Sequence, residues 1–220
     1  MTDRTDITRR AALGALAAAV AGCSAATTSP AEAQTPPVVT ILGDSITAGY
    51  GLPAREALPV QLQAALGRIG VAATVRGAGV SGDTTAGGLR RVGQVRDDTR
   101  VAVVALGGND LLNFVPFEQT RSNLDGIVRR LQARGFRVVL AGMQAPAELG
   151  AFAQAFGAIF ARVARERGVA YYPFLLDGVA LDERYNQDDL IHPNALGVRI
   201  IADRLAPVIA RALRSPAAHA

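Results

Sequence analysis

The chain has 220 residues, half of them hydrophobic and 19% charged, enough apolar material for one packed domain and too much for a disordered chain. Its net charge of +4 rests on 23 basic residues, all arginine and scattered, and with seven Phe, four Tyr and no Trp it has little surface for stacking bases, which argues against a nucleic-acid partner. One cysteine, Cys23, excludes an internal disulfide, and His192 is the only histidine outside the last two residues, so a zinc site lacks ligands.

In chain order, Thr8-Arg9-Arg10 precedes an alanine-rich apolar stretch from Ala11 to about Gly22. That stretch is too short for a bilayer span of about 20 residues, so residues 1–23 read as an export signal. The arginine pair resembles a twin-arginine signal, but the hydrophobic residue usual two places on is Ala12, which leaves ordinary secretion open. Val20-Ala21-Gly22-Cys23 resembles a lipobox, making Cys23 a candidate for lipidation and the product a membrane-anchored lipoprotein. The competing reading is cleavage after Ala31-Glu32-Ala33, which gives a soluble periplasmic or secreted protein and discards Cys23 with the leader. Residues 24–37, rich in Ser, Thr, Ala and Pro, read as a flexible tether, and residues 38–214 as the single domain.

Within that domain strand-like and helix-like segments alternate. The strand candidates are Val38–Leu42, Ala73–Arg76, Val101–Leu106, Arg137–Ala141 and Val169–Phe174. The helix candidates are Ala57–Ile69, Thr84–Val95, Thr120–Arg134, Ala151–Arg167 and Ala195–Leu213. The third shows the apolar spacing Leu124, Ile127, Val128, Leu131 and a stop at Gly135. This alternation predicts a three-layer α/β/α fold, a doubly wound parallel sheet of five strands in the flavodoxin-like order 2-1-3-4-5. Ligands of such sheets bind beyond the carboxyl ends of the strands.

Four short blocks fall on that rim. Gly43-Asp44-Ser45-Ile46-Thr47 follows the first strand; its serine is a candidate nucleophile on a tight strand-to-helix turn, or else a helix cap. Gly82, after the second strand, and Asn109, after the third, are candidate oxyanion donors, or else turn residues. Asp189 precedes His192 by three residues, close enough for a buried carboxylate to bond Nδ1 and leave Nε2 facing Ser45; otherwise His192 is a surface residue before Pro193. The agreement of four separate blocks in one strand-end rim favours the catalytic reading over its alternatives.

These blocks carry a family resemblance. GDSITAGYGLP (Gly43–Pro53), AGVSGDTTAGGL (Ala78–Leu89), LGGND (Leu106–Asp110) and the stretch from Asn186 to Asn194 resemble the GDSL, or SGNH, hydrolase family, within it the bacterial arylesterase, thioesterase I and lysophospholipase L1 group. The likeness runs from about Val38 to about Leu213. It implies the SGNH hydrolase fold, Ser45 as nucleophile, an oxyanion hole of Ser45 N–H, Gly82 N–H and the Asn109 side chain, a triad completed by Asp189 and His192, and no metal or organic cofactor. Two departures stand out. Leu190 occupies a place where the group usually has glycine, and Met143–Glu148 lacks the usual Pro-Asn of the loop that shapes the acyl pocket.

The sequence thus reads as an exported serine esterase for a small-molecule ester or thioester. Leu111, Leu112, Phe114 and Val115 are candidate substrate-binding residues for an aryl or medium acyl group, lysophospholipids included, or else packing at a helix entrance. A carbohydrate acetyl-esterase of the same family is the nearest rival. A non-catalytic flavodoxin-like binding module is the other, but Asp44 puts negative charge where a phosphate would have to sit.

Overall fold

The computed structural model describes residues 35–215; the expected export signal, Cys23 and most of the expected tether lie outside the described residues. Five parallel strands run β1 (Val38–Gly43), β2 (Thr74–Gly79), β3 (Thr99–Ala105), β4 (Arg137–Ala141) and β5 (Ala170–Tyr172), and they lie in the order β2-β1-β3-β4-β5. The sheet has the predicted order.

The central strands are apolar because both faces are covered. Every residue of β1 is buried, as are all of β3 but Arg100. The two threonines in this layer satisfy each other, Thr40 Oγ1 to Thr99 Oγ1 at 2.8 Å. One face carries α2 (Leu58–Arg68) and α7 (Ala195–Arg214), which pack together; the other carries α3 (Thr85–Arg91), α5 (Phe117–Ala133) and α6 (Ala151–Arg167). The helix α7 buries the stripe Val198, Ile201, Leu205 and Ile209. Two further short helices, α1 (Ser45–Ala48) and α4 (Gly108–Leu112), sit at the strand ends. No helix among the described residues is long and apolar enough to cross a membrane.

Several element boundaries differ from the sequence reading, each for a local reason. The fifth strand shortens to three residues because Val169 N–H closes the end of α6 on Ala164 O and Pro173 has no N–H to give. The predicted helix from Thr84 to Val95 divides into α3 and a 3₁₀ turn, Val92–Gln94. The helix α5 starts three residues early, directly after Pro116, whose fixed φ of −54° suits a helix entrance. Neither α1 nor α4 is long enough to show an apolar period.

Candidate active site

The site is assembled at the carboxyl ends of β1, β2 and β3. Ser45 opens α1, and the Asp44 side chain caps that helix by accepting from Ile46 N at 3.1 Å. The turn needs glycine at 43: a Cβ there would fall 2.0 Å from Thr47 Oγ1 and 3.0 Å from Ala105 O. Ser45 is mostly buried, and its Oγ lies 2.9 Å from His192 Nε2. His192 Nδ1 lies 2.6 Å from Asp189 Oδ2. Residues 147 and three positions apart in the chain therefore form one continuous hydrogen-bonded line, with a serine hydroxyl at one end and a carboxylate at the other.

The histidine loop is built to hold that line. Asp189 Oδ1 accepts from the backbone N–H of both Ile191 and His192 at 2.9 Å. Burial raises the carboxyl's proton affinity, but these two bonds and the His192 ring outweigh it and hold Asp189 down at about 2. The side chain is 39% exposed, so the expectation of a buried carboxylate was wrong; backbone N–H groups, not burial, define its state. Gln187 N donates to His192 O, and Asn186 bridges Pro193, which closes the loop on itself. Leu190 adopts φ +57°, the left-handed region that favours glycine, so leucine follows the backbone path that the family's glycine implies and the histidine still reaches Ser45. Asp188 is exposed. Tyr50, which sequence reasoning did not single out, stacks on His192 with ring centroids 4.5 Å apart, and its carbonyl accepts from Gln187.

Asn109 lies in α4, and its Nδ2 donates to Asp83 O at 3.0 Å and stands 3.5 Å from Asp44 Oδ2. One amide hydrogen is thereby spent on Asp83; the other has only a long contact and remains available for a ligand. The neighbouring Asp110 is buried and accepts from Thr85 N, Thr85 Oγ1 and Thr120 Oγ1, which fixes α4 against α3 and α5. Gly82 is exposed in the turn after β2, at φ +80°, and is not among the residues lining the cleft; it adjoins the site through Asp83. Asp44 is buried beside these groups, and desolvation pushes its carboxyl up to about 6 against the bond from Ile46 N and the charge on His192.

A cleft of about 400 Å³ opens beside Ser45, Asn109 and His192. Its walls are mainly apolar, from Ile46, Leu111, Leu112, Met143, Phe174 and Leu176. The loop after β4 lines it from Met143 to Ala147, as the resemblance implied for Met143–Glu148. Leu111 and Leu112 face it, but Phe114 and Val115 do not. Helix α4 ends at Leu112, the chain turns at Phe114 with φ +53°, and both residues line a separate hollow of about 210 Å³ with Phe117 and Phe152. Phe114 is 84% exposed. The wall from Phe174 to Leu181 was missed in the sequence; its signal was an apolar Phe-Leu-Leu run placed just past the last strand.

Comparison with known proteins agrees with this geometry. Residues 41–200 match the model of the GDSL-like Lipase/Acylhydrolase family. The chain is 36% identical to Esterase TesA of Pseudomonas aeruginosa over 179 residues, 79% of this chain and 88% of that protein. It is also 36% identical to the Thioesterase 1/protease 1/lysophospholipase L1 of Escherichia coli K12 over 169 residues, 76% of this chain and 80% of that one. The crystal structure of AlinE4, an SGNH-hydrolase family esterase, shares 39% identity with a TM-score of 0.67, covering 82% of this chain and 98% of that one.

Proposed function

Starting from the fact that the chain belongs to the GDSL-like lipase/acylhydrolase family and is a serine esterase, a carboxylic ester hydrolase, we propose that Ser45 is its nucleophile, His192 its general base and Asp189 the residue that orients His192. The observation that carries this reading is the line from Ser45 Oγ to His192 Nε2 at 2.9 Å and from Nδ1 to Asp189 Oδ2 at 2.6 Å. With Nδ1–H held by the carboxylate, Nε2 has its lone pair toward the serine hydroxyl. Ser45 Oγ attacks the ester or thioester carbonyl while its proton passes to Nε2. The oxyanion is met by Ser45 N–H, Gly82 N–H and the second hydrogen on Asn109 Nδ2, which turns from its long contact with Asp44. Collapse expels the alcohol or thiol, which takes the proton from His192. Water, deprotonated by the same nitrogen, then releases the acid and restores Ser45.

The substrate follows from the cleft. Its walls suit an aryl or medium acyl chain better than a bare acetyl group, and a relative that carries lysophospholipase L1 in its name supports inclusion of single-chain amphiphilic esters. Sequence supports an exported protein with residues 1–23 as signal, 24–37 as tether and 38–214 as the hydrolase domain, attached to a membrane through an acylated Cys23. A fluorophosphonate probe, with mass mapping of the labelled residue, tests the nucleophile. Labelling at Ser45, lost in Ser45→Ala together with turnover of 4-nitrophenyl esters, is expected; labelling at Ser81 overturns the assignment. A panel of acetyl, octanoyl and lysophospholipid esters beside acetylated sugars tests the substrate class.

A further inference from the structure

Arg91, in the last turn of α3, touches none of the triad residues, yet its side chain is only 11% exposed and gives three hydrogen bonds, one to the end of β1 and two to β2 and the turn after it. Its Nη2 donates to Gly43 O at 2.6 Å, its Nη1 to Ala78 O at 2.6 Å and its Nε to Asp83 Oδ2 at 2.5 Å. Asp83 is equally buried, and its carboxylate rests on Gly87 so closely that a Cβ there would come within 1.5 Å of Oδ1.

Two of these acceptors adjoin the oxyanion donors in the chain. Gly43 is two residues before Ser45. Asp83 directly follows Gly82. The carbonyl of Asp83 is the acceptor that fixes the Asn109 amide, at 3.0 Å. A fourth bond, from Val80 N to Gly43 O at 3.2 Å, joins the same β1 end to the Gly82 turn. A planar guanidinium has its five N–H groups in a rigid fork, so three acceptors on one fork hold the β1 end, β2 and the turn after it in one fixed arrangement; a lysine ammonium has no such geometry.

We propose that Arg91 is a positioning residue of the oxyanion hole, setting the Ser45 turn, the Gly82 turn and the Asn109 amide in mutual register through Gly43 O, Ala78 O and Asp83. This rests on the oxyanion role given above to Gly82 and Asn109. Donors placed for a transition state lose most of their effect when displaced by about 1 Å, which costs on the order of 10²-fold in rate. Loss of the clamp therefore acts on kcat and leaves ground-state binding in the apolar cleft alone.

The test uses the purified enzyme and a medium-chain 4-nitrophenyl ester, with Arg91→Met, Arg91→Lys, Asn109→Ala and both double variants. Expected is a kcat loss of about 10²-fold for Arg91→Met with KM within about twofold, and no full rescue by Arg91→Lys. In the Asn109→Ala background the Arg91 substitutions should cost less than in the wild type, because part of their effect runs through that amide. A loss that multiplies fully in that background, or one confined to the thermal midpoint with kcat intact, overturns the proposal. If Arg91→Met does not fold, Arg91→Lys and its double variant decide the same question. If Asn109→Ala alone retains wild-type kcat, the oxyanion reading fails; if it falls and the Arg91 variants do not, only the clamp fails.

Discussion

Asp44 is the most informative residue to perturb, because the fold works against its charge. The carboxyl is buried, with Oδ1 held by Ile46 N and Oδ2 facing the Asn109 amide at 3.5 Å, and its proton affinity is raised from the ordinary 3.8 to about 6, desolvation being the largest cause. At ~1.4 kcal/mol for each tenfold in proton affinity, the ionised native protein carries a penalty of up to ~3 kcal/mol. The sign follows from proton counts. Between pH 3.8 and about 6 the folded chain keeps a proton that the unfolded chain has released, so stability falls as pH rises through that window and stays lower above it. Asp44→Asn keeps an oxygen for Ile46 N and removes the charge. Urea unfolding of both proteins from pH 4 to 8 should show the variant gaining on the wild type by up to ~3 kcal/mol across the window, on top of any constant offset from the altered cap. Turnover should move the other way, since the Asp44 charge favours the imidazolium that forms on His192. A stability difference that is flat with pH would refute the reasoning, because burial would then exact no charge penalty.

The other predictions concern the histidine loop and the leader. Asp189→Asn keeps the acceptor for Ile191 N and His192 N but can present an amide donor to Nδ1, so kcat should fall on the order of 10⁴-fold, as in serine-protease triads. Asp188→Asn, at an exposed side chain, should leave kcat near wild type, and the reverse ranking would move the triad register by one residue. Since hydrogen bonds hold Asp189 at about 2, no loss of activity between pH 4 and 6 should survive as a feature of its titration; comparing the acid limbs of wild type and Asp44→Asn assigns that region. Leu190→Gly should relieve the φ +57° backbone and raise stability by up to ~1 kcal/mol in urea unfolding, while KM for long acyl esters rises because a cleft wall is lost. If Cys23 is acylated, the protein partitions with membranes and Cys23→Ser blocks processing; a soluble mature protein starting near Gln34 refutes the lipid anchor.

The fold was legible because its strongest signals are local. Buried parallel strands read as near-continuous apolar runs, and Val38–Leu42 and Val101–Leu106 show it directly. Boundaries were less legible where a backbone group has a non-local use, as Val169 N–H does in closing α6 on Ala164 O. The short helices α1 and α4 carry too few residues for any period, although they present Ser45 and Asn109.

The site divides on the same principle. His192 had no competing histidine, whereas its partner had one in Asp188, and it was the family pattern together with the three-residue spacing that favoured Asp189. Phe114 and Val115 were misplaced because a run of apolar letters does not reveal where a helix ends: the turn at Phe114 sends both away from the cleft that Leu111 and Leu112 line. Arg91 was not legible at all, and Asp44 only as a charge at the strand end, for a deeper reason. Two of the acceptors of Arg91 are main-chain carbonyls 13 and 48 residues away, and a carbonyl has no letter. Asp44 looks like any N-cap aspartate, and its raised proton affinity comes from the atoms that bury it. Sequence therefore names the groups proposed for the bond-making, whereas the groups that hold them in register and set the charge around them emerge only when the chain is folded. That is why a variant such as Asp44→Asn or Arg91→Lys, conservative by its letters, is a sharper test of this site than removal of Ser45.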